Sequence, residues 1–256
     1  MFEHFERHER DFVTKAIEWV ELVYYSQVVK VTKFLTPREQ VILQTVCNQY
    51  TEVNVKFDGG FIGAERKRAI ISHENAFHTT KGDIVTGIKV IYPARYVNLE
   101  HRDILGSLTA LKVDRSLIGD IIKQDDTDIF IAICEEYAAF FKLHFNKVGR
   151  HDITLIEESI EHIKRIENYD FSEIILASMR LDVVVAGITK KSRQDVSELI
   201  SSGAVQLNFK LEQNHSRQCV IGDTLSIRKY GRYKLLSQKA TTKSGKLIIN
   251  IGKTIS

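Results

Sequence analysis

The sequence is poor in the residues that mark several protein classes. Only 2 of its 256 residues are proline, while residues of the AVILMFWYC set make up 43%. That excludes a collagenous, low-complexity or wholly disordered chain, because apolar material for packed cores is ample. Cysteine is scarce: Cys47, Cys134 and Cys219 lie far apart, odd in number and with no Cys-x-x-Cys pair. Buried free thiols in a reducing cytoplasm are expected. No window approaches 18 consecutive apolar residues, so no membrane insertion is expected. The N-terminus, dense in charge of both signs, lacks the apolar run of a signal peptide.

Catalytic signatures are missing as well. His101-Arg102-Asp103 matches the start of a kinase catalytic loop, but the downstream Asn, a Gly-rich loop and a DFG triplet are absent. Gly59-Gly60 marks a turn and not a phosphate cradle. His4/His8 and His73/His78 have no Cys or carboxylate pattern to complete a metal site. The chain is therefore read as a non-enzyme, with no catalytic residue, metal or cofactor. His101, Arg102 and Asp103 sit at a helix start, where a capping cluster packed by Asp120 is favoured over RNA contact.

What is present is an uneven charge. The formal net charge is +3. From Arg180 onward there are 14 Lys and Arg against 5 Asp and Glu, a net of +9, and the first 179 residues carry −6. A basic tail behind an acidic body suits a polyanion, with anionic membrane or an acidic protein as alternatives. The acidic body suits a protein partner.

Periodicity divides the chain into three small domains of an α+β class. Residues 1–74 read as an N-terminal α+β domain. Its first helix carries Phe12, Ala16, Trp19, Val20 and Val23, and Thr36-Pro37-Arg38-Glu39 starts a second, with Val41, Ile42, Thr45 and Val46 as the buried face. A hairpin follows, turning at Asp58-Gly59-Gly60 and resuming at Phe61-Ile62. Residues 75–170 read as β-α-β-β-α-β, the ferredoxin-like topology that RNA recognition motifs also use. Its elements are a strand 84–92, a helix 99–111, strands 117–122 and 129–133 around the acidic turn 124–128, a helix 135–145 and a strand 154–156. No matched aromatic pair marks its central strands, so RNA contact by this domain is left open. A helix 160–166 and the segment 169–178 read as a connector to a basic domain, 180–256.

In the basic segment Ser192 caps a helix whose packed stripe is Val196, Leu199 and Ile200, and Gly203 ends it. Two short helices thus meet at Lys190-Lys191-Ser192-Arg193. Arg180-Leu-Asp182, Ser192-Arg193, Leu199-Ile200, Gly203-Ala-Val205, Asn208 and Val220-Ile-Gly-Asp223 resemble the S4 domain, a small RNA-binding module. Phe209 departs from the family's usual Gly after Asn, so the turn there is expected to differ or be strained. Phe57-Asp-Gly-Gly-Phe61, Ala64-Glu65-Arg66, His101 to Leu108 and Ile118-Gly-Asp-Ile121 look like the YlmH-type family of bacterial S4-domain proteins. That resemblance implies an N-terminal domain, a middle domain like an RNA recognition motif, and a C-terminal S4 domain.

It also implies ribosome association: a non-enzymatic, cytoplasmic factor that binds structured rRNA or tRNA of the large subunit. Members act in ribosome-associated quality control of subunits blocked by peptidyl-tRNA. A cell-division-linked protein-interaction scaffold is the alternative. The S4 likeness makes Lys190, Lys191, Ser192, Arg193 and Lys210 RNA contacts, with Arg228, Lys229 and Arg232 extending the surface. Arg193 has a competing role, pairing with Asp182 to hold the two helices. Tyr230 and Tyr233 are as well suited to packing on the sheet as to stacking on bases. Arg66, Lys67 and Arg68 form a secondary phosphate-patch candidate that Glu65 weakens.

Overall fold

The structure, a computed structural model, describes residues 7–76, 82–124 and 127–255. Residues 1–6, His78 and the Asp125-Asp126 of the expected acidic turn lie outside these. The chain forms two compact units, Met1–Arg165 and Ile166–Ser256.

The first unit opens with α1 (Arg10–Ser26), whose buried residues Val13, Ala16, Val20 and Val23 keep helical spacing. A short strand β1 (Lys30–Val31) leads to α2 (Pro37–Cys47). Thr36 caps α2 and Glu39 completes the capping box, as the sequence signals. The packed face of α2 is Ile42, Leu43, Val46 and Cys47, whereas Val41, expected inside, is exposed. Strands β2 (Val53–Asp58) and β3 (Arg68–His73) pair antiparallel, with Asp58 opposite Arg68. The loop between them therefore runs over 59–67, and Phe61-Ile62 is not a continuing strand. Phe61 instead drops into the core of the neighbouring sheet. Burial took precedence over strand pairing there.

The remaining elements of this unit are β4 (Val85–Ile91), α3 (His101–Ala110), β5 (Ile118–Gln124), β6 (Asp128–Cys134), α4 (Ala138–His144), the short pair β7 (Lys147–Val148) and β8 (His151–Asp152), and β9 (Thr154–Glu157). The main sheet is antiparallel in the order β5-β6-β4-β9. The expected β-α-β-β-α-β order is thus present, with the last strand of the motif beside the first. Helices α3 and α4 pack on it through Ile104, Leu108 and Phe141.

The other sheet face is partly covered too. In register, Val85, Gly87 and Lys89 stand opposite Cys134, Ala132 and Phe130. Small residues let neighbours fall onto this row. A Cβ at Gly87 would lie 2.5 Å from Ile160 Cγ2, and one at Gly119 would lie 2.5 Å from the Phe34 ring. Ile160 and Ile163 belong to this core, and 160–166 is not the helix its apolar spacing suggests. Two-sided burial also explains why β6 reads as a continuous apolar run. Phe34 and Ile160 cover this part of the face, while Ile91 and Ile156 further along it are exposed.

Charge is buried between the two halves of this unit. Arg68 is 3% exposed and donates to Thr32 O at 2.7 Å, to Ile84 O, and through two nitrogens to Glu136 at 2.7 and 2.8 Å. Burial pushes the Glu136 carboxyl up, but the Arg68 hydrogen bonds and charge outweigh it and hold the group below its ordinary range. Arg66 donates to Ile118 O and Phe34 O, at 3.2 Å each. Asp120 accepts the backbone N–H groups of Glu65 (2.6 Å) and Arg66 (3.1 Å), and Arg165 pairs with Glu65 at 2.8 Å. Of the secondary phosphate-patch candidates, Arg68 is buried and paired with Glu136, Arg66 is half-buried and donates to two carbonyls, and Lys67 is half-buried. Asp103 closes a capping box at the start of α3, accepting from Glu100 N at 2.9 Å. Of this cluster, Asp103 takes the expected capping role, while Asp120 accepts from the Glu65 and Arg66 backbone.

The second unit is built on a six-stranded antiparallel sheet, and its first strand, β10 (Tyr169–Leu176), corrects the reading of 169–178 as a connector. Helices α5 (Leu181–Thr189) and α6 (Arg193–Ser201) follow, then β11 (Val205–Leu207), β12 (Lys210–Leu211), β13 (Thr224–Ile227), β14 (Gly231–Thr241) and β15 (Leu247–Thr254). The order is β10-β15-β14-β13-β11-β12, and β10 pairs with β15 from Tyr169↔Thr254 to Leu176↔Leu247. Gly187 is where α5 touches β10: a Cβ there would lie 2.6 Å from Leu176 Cδ2. Val184, Val185, Val196 and Ile200 of the helices meet Leu225, Leu235, Ile249 and Ile251 of the sheet.

All three cysteines are buried free thiols, and burial pushes them up to about 12 (Cys47), 11 (Cys134) and 12 (Cys219). Among the described residues no helix is long and apolar enough to cross a membrane, and no His, Cys, Asp and Glu cluster could hold a metal.

Two predictions follow from the buried charges of the first unit. Arg68→Ala strands the Thr32 and Ile84 carbonyls and should cost about 3 kcal/mol in urea unfolding. Arg68→Lys should not restore it, because an ammonium lacks the planar fork. Burial, then Arg115, holds His101 below its ordinary value, and Asp120 only partly opposes this. The unfolded chain therefore takes up the proton first. Stability should fall as pH drops below about 6.5 toward 5, and His101→Gln should flatten that part of the urea-midpoint profile.

Candidate nucleic-acid interface

The basic residues of the second unit are positioned by helix ends and turns. Lys190 ends α5 in the left-handed conformation, φ 56°, and its N–H returns to Ala186 O. One residue later Ser192 takes an extended conformation, and its Oγ accepts from Asp195 N at 3.2 Å, capping α6. The link between the helices is thus three residues, 190–192. It turns Lys190, Lys191, Ser192 and Arg193 outward, all exposed, around the positive end of a nine-residue helix. Gly203 ends α6 at φ +70°, as its spacing signals.

Asp182 pairs with Arg180, at 2.7 and 3.1 Å, and not with Arg193. This pair is local to the start of α5, so the interhelix role considered for Arg193 is not filled by an ion pair to Asp182. Among the described residues no carboxylate lies within ion-pair distance of Lys190, Lys191 or Arg193. The contrast within the chain is sharp, because Lys33, Arg38, Lys89, Lys123, Lys142, Lys234 and Lys239 each have an acidic partner. The charge at the α5–α6 junction is left for something outside the chain.

The other four candidates lie outside the α5–α6 link. Arg228 and Lys229 are exposed on the β13–β14 turn, where Arg228 N donates to Ala204 O beside the C-terminal end of α6. The length of α6, about 14 Å for nine residues, separates them from the junction. Lys210 and Arg232 are half-buried near the β11–β12 turn, whose strand β12 lies by the C-terminal end of α6 through Leu211 and Gly203. Tyr230 and Tyr233 pack against the core, and the Tyr233 hydroxyl donates to Tyr230 O at 3.2 Å.

The sequence reading passed over the β11–β12 turn as a display site. Asn208 (φ 50°) and Phe209 (φ 66°) are both left-handed, so the strain expected from the missing Gly is real. Asn208 Nδ2 donates to Asp223 Oδ1 at 2.7 Å, and Asn208 Oδ1 accepts from Thr224 N at 2.9 Å. The Arg232 guanidinium lies 5.0 Å from the Phe209 ring centre. The departure from Asn-Gly was the signal that marked this position.

Two family models match the first unit: “YlmH, N-terminal” over residues 8–76 and “Putative RNA-binding domain in YlmH” over 83–162. The chain is 33% identical over 248 residues to a Bacillus subtilis (strain 168) protein named ribosome-associated protein quality control protein P2, covering 96% of this chain and 95% of that one. A solved structure described as cell division protein ylmH from Streptococcus pneumoniae is similar in fold, with a TM-score of 0.53, 22% identity, and coverage of 62% of this chain and 95% of that one. With a relative of that identity matched nearly end to end, this chain belongs to the YlmH family.

Proposed function

We propose that the chain is a non-enzymatic RNA-binding factor that associates with the ribosome and acts in ribosome-associated quality control. Its second unit is read as an S4 RNA-binding domain and the β-α-β-β-α-β part of the first as a domain like an RNA recognition motif, with residues 1–74 as a third domain. The observation that carries this reading is the α5–α6 junction, where Lys190, Lys191 and Arg193 stand exposed without an acidic partner at a capped helix N-terminus. Backbone N–H groups and cations converging there suit a phosphate. The name of the Bacillus subtilis relative, and the RNA-binding description of the model matching 83–162, support the choice of a ribosomal RNA partner.

Lys190, Lys191, Ser192 and Arg193 contact phosphates in this reading, with Lys210, Arg228, Lys229 and Arg232 as outlying contacts. Such contacts recognise the shape of structured rRNA or tRNA on the large subunit more than its sequence. The part of the first unit's sheet covered by Phe34 and Ile160 is not a stacking surface in this account. The acidic excess of the first 179 residues suits a protein partner, and the site of action is the cytoplasm.

The double variant Lys191→Glu/Arg193→Glu removes two charge-assisted contacts, each worth about 1.5 kcal/mol. It should weaken binding to large subunits roughly 100-fold while leaving the melting temperature unchanged. Binding by the natural protein should itself weaken steeply with salt. Sedimentation with subunits that ignores these substitutions removes the site assignment. A second reading, a cell-division scaffold, is favoured by the description of the Streptococcus pneumoniae structure. It predicts instead a protein complex that survives nuclease.

A further inference from the structure

We infer that the β11–β12 turn is a stacking site for an unpaired RNA base, with the Phe209 ring as its platform and Arg232 beside it. This rests on the RNA-binding reading above and adds to it a contact of a different chemical kind.

The first reason is that the turn does not need its phenylalanine. Two-residue hairpin loops with both central residues left-handed favour Asn-Gly. Asn208 supplies the first position, pinned by Asp223 Oδ1, by Thr224 N, and by its own N–H to Thr224 O at 2.8 Å. Asp223, 7% exposed, is held in turn by Val220 N at 2.8 Å. Glycine at 209 would complete this turn without strain, whereas Phe209 at φ 66° carries it.

The ring is also outside the core. The helix-side cluster of the second unit includes Val205, Leu207, Leu225 and Leu235, with Tyr233 packed against it, but not Phe209. Side chains alternate along β14, so Arg232 and Lys234 project to the face opposite Tyr233 and Leu235, and Arg232 is cross-strand from Ser226. Helices α5 and α6 pack on the Leu235 side. Phe209 meets the Arg232 guanidinium at 5.0 Å and is half-buried.

The Arg232 guanidinium lies over one face of the Phe209 ring, so a flat base stacks on the other face, with Lys210 next in sequence near its phosphate. Lys234, whose Nζ is 3.6 Å from Glu167, stands further along the same face. An acidic peptide would be held by the cations alone and would draw nothing from a flat ring. A base inside an A-form helix hides its face, so the site takes a base from a loop, bulge or single strand.

The test measures fluorescence anisotropy of the full chain with two labelled RNAs, one a blunt hairpin and the other the same hairpin with a single-stranded extension. Phe209→Gly should keep or raise the melting temperature, because the backbone strain is relieved. It should weaken binding of the extended RNA roughly tenfold, leave the blunt hairpin unchanged, and be rescued by Phe209→Trp. Equal binding of the extended RNA by the glycine variant and the natural protein overturns the inference and leaves the RNA-binding reading standing. Failure of the natural protein to bind either RNA overturns that reading, and the inference with it.

Discussion

A guanidinium taken out of water has to find an acceptor for each of its N–H groups, and at Arg68 that requirement joins elements distant in sequence. Arg68 sits on β3, while its acceptors come from the loop before α2, the residue before β4 and the turn before α4. Asp120 does the reverse, an acceptor on β5 that fixes the loop at Glu65 and Arg66. Two sequence families meet between residues 76 and 83, yet the chain to Arg165 is one compact unit. The charged seam is the physical reason. Desolvating these groups is costly, so the halves are held in the one arrangement that satisfies all of them.

The same seam decides where charge is available. Arg68, which looks accessible in sequence, is paired with Glu136, Arg66 spends its donors on two backbone carbonyls, and many lysines of the acidic body have acidic partners. The α5–α6 junction reverses this. Its cations have only a helix N-terminus for company, which repels them and attracts an anion. A net charge of +3 therefore understates how uneven the charge is along the chain.

Local chemistry was legible in the sequence and remote pairing was not. The Thr36 and Ser192 caps and the left-handed Gly203 were readable because each acts within a few residues of itself. The β-α-β-β-α-β order was readable because its strands are strongly apolar. Strand β10 was missed because Phe171, Glu173 and Ile175 face outward and its partner β15 lies more than seventy residues on. Residues 160–166 have helical spacing but open with a turn that sets Ile160 over Gly87, a contact no local pattern records. Of the proposed site, the exposed basic link capped by Ser192 was readable in the sequence. The internal use of Arg66 and Arg68 was not, because a basic run carries no mark of what it will face. At Phe209 the sequence showed a broken rule but not the ring's neighbour, Arg232.

The β10–β15 pairing has a kinetic side. Joining Tyr169 to Thr254 closes nearly the whole second unit into a loop, an entropic cost met before the strand gains its contacts. Helices α5 and α6 are adjacent in sequence and need no such closure. The junction that attracts phosphate can therefore assemble early, and the sheet edge last. A polyanion present during refolding would then meet a formed docking point on an unfinished domain and act as a template for the rest.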